Sequence, residues 1–202
     1  MLSGDGALPP WRWGGGGKRR LLKELLPRLP DDIGKRRYVE PFLGGGALFF
    51  ALAPKHALLN DLNEDLINAY RALQEQDTAV FDVLWPMLRN HDGGLYYLVR
   101  DLYNAHAEDD IESEIDELIG PGVLLSGADT RFHWQGPLLR AAWFIYLMVT
   151  CFNGLYRVNR SGAFNTPMGD KVSFSHHNID DAVRVLRGGM LSRKHCKIEL
   201  RS

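Results

Sequence analysis

Residues 37–61 read Arg37-Tyr38-Val39-Glu40-Pro41-Phe42-Leu43-Gly44-Gly45-Gly46-Ala47-Leu48-Phe49-Phe50-Ala51-Leu52-Ala53-Pro54-Lys55-His56-Ala57-Leu58-Leu59-Asn60-Asp61. Tyr38 and Val39 before the Pro41 break predict a short strand over 37–42. Three consecutive glycines, 44–46, then make a tight turn. Residues 47–53 predict a helix stopped by Pro54, and residues 57–60 a second strand. A second helix is expected over 61–76, with Leu62, Leu66, Tyr70 and Leu73 on one face. Strand, glycine turn, helix, strand, helix is the order of a parallel α/β sheet.

Outward from this core the pattern changes. Residues 18–29 place Leu21, Leu22, Leu25, Leu26 and Leu29 at amphipathic-helix spacing, with Pro27 near the end. Residues 79–105 are expected to be helical, broken at Pro86 and at Gly93-Gly94. Seven acids crowd residues 108–117 before Gly120-Pro121-Gly122, which suits a solvated insertion or a regulatory acidic face. Residues 137–150 form a strongly apolar helix, 151–169 a loop rich in Gly, Asn, Arg and aromatics, 179–186 a last short helix, and 197–200 one more strand.

The 202 residues are 45% hydrophobic and 24% charged, which excludes a disordered, collagenous or disulfide-stapled chain. Cys151 and Cys196 are the only cysteines, so a reducing compartment fits. Pro9-Pro10 and Gly14 to Gly17 stand where a secretory leader needs an apolar run. The apolar stretch 141–152 is broken by Thr150 and too short for a bilayer. The expectation is a soluble, cytoplasmic protein with no membrane partner.

A net charge of -1 conceals segregation: residues 1–37 hold nine Lys and Arg against four acids, 38–130 four against seventeen, and 131–202 eleven against four. A basic C-terminal third rich in Arg, Asn, Tyr and Phe suits a polyanion surface. Pairing of the basic and acidic parts with each other explains the same numbers.

The glycine turn after the first strand brings backbone and helix N–H groups close to a ligand. It is not a dinucleotide fingerprint, because no glycine stands at the third glycine position counted from Gly44. Nor is the earlier glycine run a P-loop, since Arg12 and Arg19 stand where glycine and Ser or Thr belong. Asp61 ends the second strand, where an acid of a doubly wound sheet holds the ribose hydroxyls of an adenine nucleoside. Capping of the following helix is the alternative role for Asp61. An adenosine-containing ligand without a phosphate motif is S-adenosylmethionine-like.

Four ordered segments resemble the Dam-type DNA adenine-N6 methyltransferases. Trp11-Arg12-Trp13-Gly14-Gly15-Gly16-Gly17-Lys18 resembles the family's opening Trp-Ala-Gly-Gly-Lys. Residues 38–46 resemble its glycine motif, Leu59-Asn60-Asp61-Leu62-Asn63-Glu64-Asp65-Leu66 its ribose segment, and residues 151–165 its target-recognition segment. The resemblance covers residues 10–190 and implies a Rossmann-like S-adenosylmethionine-dependent methyltransferase sheet carrying a mostly helical DNA-recognition insert. It divides the chain into a cofactor-binding part (10–76), the insert (77–170) and a return to the sheet (171–202).

The resemblance also implies roles. Trp13 and Lys18 line the cofactor site, Lys18 meeting the methionine carboxylate. Phe42, Gly44 and Gly46 pack along S-adenosylmethionine, and Asp61 holds its ribose. Asn153, Leu155, Arg157 and Asn159 face double-stranded DNA, Arg157 suiting a bidentate contact with guanine and Arg160 a phosphate. Phe152, Tyr156 and Phe164 are expected to fold the loop down. The implied activity is methyl transfer to adenine N6, in settings that include restriction–modification.

Three departures matter. One extra glycine separates Trp13 from Lys18, leaving open whether Trp11 or Trp13 reaches the cofactor. Met148 and Val149 stand where the family carries polar residues. The Asp-Pro-Pro-Tyr that accepts the adenine N6 hydrogens is absent, since Pro9-Pro10 is the only Pro-Pro pair. The chain ends at Ser202 where that strand is due, so the sheet is expected to be incomplete and the chain inactive alone. A split enzyme awaiting a C-terminal half with Asp-Pro-Pro-Tyr, or a non-catalytic DNA-binding remnant, fits equally. No catalytic residue and no metal ligand is assigned: His176-His177 and His195-Cys196 lack the partners a metal site requires.

Overall fold

The computed structural model describes residues 6–14, 18–75, 77–106, 136–187 and 196–199, with only the backbone of the last four. The acidic run at 108–117 and its Gly-Pro-Gly closure lie outside the described residues, as does His195.

Strands β1 (Tyr38–Glu40), β2 (Ala57–Asn60) and β3 (Cys196–Glu199) form one parallel sheet in the order β1-β2-β3. Tyr38 pairs with Ala57 and Glu40 with Leu59, while Ala57 pairs with Cys196 and Asn60 with Glu199. The parallel α/β class expected from the core stretch is the one observed. Helix α2 (Ala47–Leu52) crosses between β1 and β2 and buries Ala47, Phe49, Phe50 and Leu52.

The helix expected over 18–29 is fragmented. A 3-10 turn (Lys18–Leu21), one α-turn, α1 (Leu22–Leu25), and a second 3-10 turn (Leu26–Arg28) replace it. Pro27 has no N–H for the ladder, and none of these elements buries a residue fully, so packing does not enforce regular helix.

Helix α3 (Glu64–Glu75) starts later than its apolar pattern suggests, because Asn63 caps it: its side-chain oxygen accepts from Leu66 N at 2.8 Å. Leu66, Tyr70 and Leu73 are fully buried, whereas Leu62 stands before the helix and is 70% exposed. Helix α4 (Asp77–Arg89) runs through Pro86 instead of breaking there. The hydrogen bond forgone by the proline would reach the carbonyl of Asp82, an exposed residue of the helix. Helix α5 (Gly93–Ala105) is capped by Asp92, which accepts from Leu95 N at 2.8 Å.

Helix α6 (Pro137–Thr150) is the centre of the core. From Leu138 to Thr150 every residue except Arg140 is buried, and the helix packs on α3, α4 and α5. Burial on all sides explains Met148 and Val149, which are apolar because they face protein. Helix α7 (His176–Leu186) begins three residues before its expected start, capped by Ser175. No helix among the described residues is long and apolar enough to cross a membrane.

Candidate functional site

The site lies at the carboxyl ends of β1 and β2. Leu43 N donates to Asn60 O at 2.8 Å, holding the strand ends side by side. Asp61 then fixes the glycine turn: its Oδ2 accepts from Gly44 N at 2.8 Å and its Oδ1 from Asn63 N at 3.0 Å. Tyr70 Oη donates to Gly44 O at 3.2 Å, so that glycine is held from both sides of its peptide. Burial raises the Tyr70 phenol well above its ordinary pKa, helped by the charges of Glu40 and Asp61. Gly44 and Gly46 sit at φ of 54° and 63°, in the left-handed region that favours glycine.

Asp61 therefore does not cap α3, which is the task of Asn63. Each of its oxygens still has a lone pair to offer a ligand. Phe42 and Leu62, both 70% exposed, stand just past the two strand ends. Buried Glu40 accepts from Tyr38 Oη at 2.7 Å and pairs with Lys18, whose ammonium also donates to Phe42 O at 3.0 Å. Burial raises the Tyr38 phenol, so it remains a donor. Two carboxylates, one ammonium and two exposed apolar side chains suit a ligand with a net positive centre, an acidic group and an apolar ring.

The two tryptophans separate cleanly. Trp11 is 3% exposed and stacks on Tyr70 at 4.8 Å, inside the core. Trp13 lies over the glycine turn: a Cβ on Gly44 would sit 3.0 Å from its Cδ1, and one on Gly45 would sit 2.9 Å from its Cβ. Trp13, Lys18, Phe42, Gly44, Gly46 and Asp61 are thus brought together, and Trp11 is not among them. Glu40 was missed by sequence reading, although a carboxylate ending an apolar strand was the available signal.

Residues 151–169 form the expected loop, folded back on itself as a hairpin by two isolated antiparallel bridges. These join Cys151 to Met168 and Val158 to Phe164, and Asn165 N donates to Arg157 O at 3.0 Å. At the tip, Asn159 Oδ1 accepts from Ser161 N, Ser161 Oγ and Ala163 N at 2.7–3.0 Å, so this oxygen builds the turn. Helix α5 clamps the returning arm. Asn104 accepts from Phe164 N at 2.8 Å and donates to Phe164 O at 3.0 Å, and Tyr96 Oη donates to Thr166 O at 2.8 Å. Nothing in the sequence marked Asn104 or Tyr96.

Asn153, Arg157, Asn159 and Arg160 are exposed along one arm and the tip, with Leu155 half-buried between them. Of the three aromatics expected to fold the segment down, Phe164 is buried and Tyr156 half-buried, while Phe152 is 45% exposed. Burial pushes the Cys151 thiol up to about 12, which removes it as a nucleophile. His177 pairs with Asp181 at 3.4 Å, and the His176 ring lies 3.9 Å from that of Trp85. Among the described residues, no group of three or more His, Cys, Asp and Glu is placed to hold a metal ion.

With this geometry in place, comparison with known proteins is decisive. Residues 14–187 match the D12 class N6 adenine-specific DNA methyltransferases. The chain belongs to this family. The D12-class chain is 36% identical over 154 residues to the type II methyltransferase M1.LlaDCHI of Lactococcus lactis subsp. cremoris, covering 76% of this chain and 45% of that protein. It is 30% identical over 196 residues to the type II methyltransferase M.MjaIII of Methanocaldococcus jannaschii, covering 89% and 59%. It is 32% identical over 160 residues to the DNA N-6-adenine-methyltransferase of Escherichia phage P1, covering 79% and 17%. The chain thus spans about half the length of the first two relatives.

Proposed function

We propose that this D12-class chain binds S-adenosylmethionine on a Rossmann-like sheet and double-stranded DNA on the 151–169 hairpin, as the cofactor- and target-binding part of an adenine-N6 methyltransferase. The observation carrying the proposal is the lock between Asp61 and Gly44, which sets a carboxylate with spare lone pairs beside the glycine turn. Residues 10–76 and 171–202 serve the cofactor, and residues 77–170 serve target recognition. S-adenosylmethionine, once bound, supplies an electrophilic methyl on a sulfonium.

The chain's own residues bind and orient. Asp61 accepts from the ribose hydroxyls, Phe42 and Leu62 flank the adenine, and Trp13 covers the glycine turn. Glu40 and Lys18 offer opposite charges to the zwitterionic methionine end. Arg157 reads a guanine edge, Arg160 holds a phosphate, and the exposed Phe152 ring offers a face to a base. Acceptors for the adenine N6 hydrogens are not among the 202 residues, which contain no Asp-Pro-Pro-Tyr. A segment carrying that motif completes the catalytic site from outside these residues.

Two measurements test this reading. Calorimetry with S-adenosylmethionine gives binding that Asp61→Ala weakens by roughly 100-fold. Radiolabelled methyl transfer to DNA is absent for the chain alone and appears when a polypeptide bearing the relatives' further sequence is added. Rapid methylation of adenine by the purified chain alone refutes the assignment of the missing acceptors.

A further inference from the structure

The segment Arg12 to Gly14 lies between the glycine turn and the recognition hairpin and touches both. On one side, the Trp13 side chain lies against the glycine turn: a Cβ on Gly45 would meet Trp13 Cβ at 2.9 Å, and one on Gly44 would crowd its Cδ1 at 3.0 Å. On the other, the Trp13 ring stacks on Tyr156, with centroids 5.2 Å apart and planes 17° from parallel. The backbone is joined too: Gly14 N donates to Gly154 O at 3.1 Å. A Cβ on Gly154 would sit 2.6 Å from Arg12 Cβ. Tyr156 immediately precedes Arg157 and also packs on Phe144 and Phe164, at 5.9 Å and 5.6 Å. Every link from Gly44 to Arg157 is thus a direct contact.

We infer that Trp13 and Tyr156 are positioning residues that couple the cofactor site to the DNA-reading hairpin. The inference rests on the ligand sites proposed above. A ligand over the glycine turn covers the open side of Trp13 and holds its ring against Tyr156, which orders Arg157 before DNA arrives. DNA then binds with less ordering left to do, and by linkage it tightens the cofactor site by the same factor. A stacked aromatic pair has energy for a coupling of up to about tenfold.

The test uses the 202-residue chain, S-adenosylhomocysteine at millimolar concentration as the unreactive probe, and a labelled duplex selected by the chain from a randomised pool. Anisotropy gives the DNA Kd with and without the probe, and calorimetry gives probe binding separately. The probe tightens DNA binding about fivefold to tenfold in the parent and in Tyr156→Phe, which keeps the stack, and less than twofold in Tyr156→Ala. Gly154→Ala, which forces the backbones apart, lowers the coupling as well. Amide exchange across residues 155–165 slows on probe addition in the parent and not in Tyr156→Ala. Binding of both ligands with equal coupling in the parent and Tyr156→Ala, or with none in the parent, overturns the inference and leaves the proposed sites standing. Failure of the parent to bind the probe or DNA overturns the proposed sites and the coupling with them.

Discussion

Replacing Asp61 by alanine removes two hydrogen bonds from backbone N–H groups to a carboxylate, those of Gly44 at 2.8 Å and Asn63 at 3.0 Å. Such bonds contribute about 1.5–3 kcal/mol each, and partial exposure lets water replace some of the loss, so about 3 kcal/mol is expected in total. For a chain of this length that lowers Tm by roughly 6–12 °C. Asp61→Asn keeps one acceptor oxygen and loses about half as much. Two lost hydrogen bonds from ribose hydroxyls to a charged acceptor weaken cofactor binding by roughly 100-fold. Scanning calorimetry and titration calorimetry read the two effects separately. Melting of Asp61→Ala within 2 °C of the parent (about 1 kcal/mol or less) refutes the claim that Asp61 holds the turn. Undiminished ligand binding removes Asp61 from the site.

Asp65 forms a bidentate pair with Arg140, at 14% and 17% side-chain exposure for Arg140 and Asp65, and accepts from Tyr103 Oη. Asp65→Ala takes the carboxylate from a largely buried guanidinium, which keeps its bond to Tyr103 O, and costs about 3 kcal/mol in urea unfolding, while an Asp65→Leu, Arg140→Met double variant recovers much of the loss. His91 Nδ1 and Tyr146 Oη share a hydrogen bond at 2.7 Å, and burial holds the imidazole pKa below its ordinary value, partly opposed by Asp92. Its contribution to stability is present above about pH 6.5 and lost as pH falls through the lowered folded value, so His91→Gln flattens the acid side of a Tm-against-pH curve. DNA affinity falls with salt at a log–log slope of about -0.9 per phosphate contact. Arg157→Ala costs about 1–3 kcal/mol on the selected duplex and little on random DNA, whereas Arg160→Ala weakens both alike. Equal losses on both duplexes for Arg157→Ala would show that it does not read a base.

The parts of the fold legible in the sequence are those with local causes. β1, the glycine turn, α2 and β2 follow from strand runs broken by glycine and proline within about 25 residues. Periodicity misleads where packing does not back it or overrides it: the leucine spacing at 18–29 gives only short turns because no residue there is buried, and α4 continues through Pro86. Hydrogen bonds across sequence were equally invisible. Asn104 reaches Phe164 across 60 positions and Arg140 reaches Asp65 across 75, and neither partner carries a sequence mark of the other. At the site, motif order placed Trp13, Gly44 and Asp61 near one another, but only geometry separates Trp13 from buried Trp11 and transfers the capping of α3 from Asp61 to Asn63.

The hairpin is framed almost wholly by atoms that do not face its exposed arm. Its turn is tied by the Asn159 oxygen, its return arm by Asn104 and Tyr96, and its base by the Gly14–Gly154 backbone bond. The exposed side chains at 153, 157 and 160 carry none of that frame. On the proposed reading, side chains at 157 and 160 can therefore be exchanged with little penalty in folding, whereas 153 is restricted by its left-handed backbone (φ 56°) to residues such as Asn or Gly. A lineage built on this scaffold can vary what it contacts while its architecture stands still.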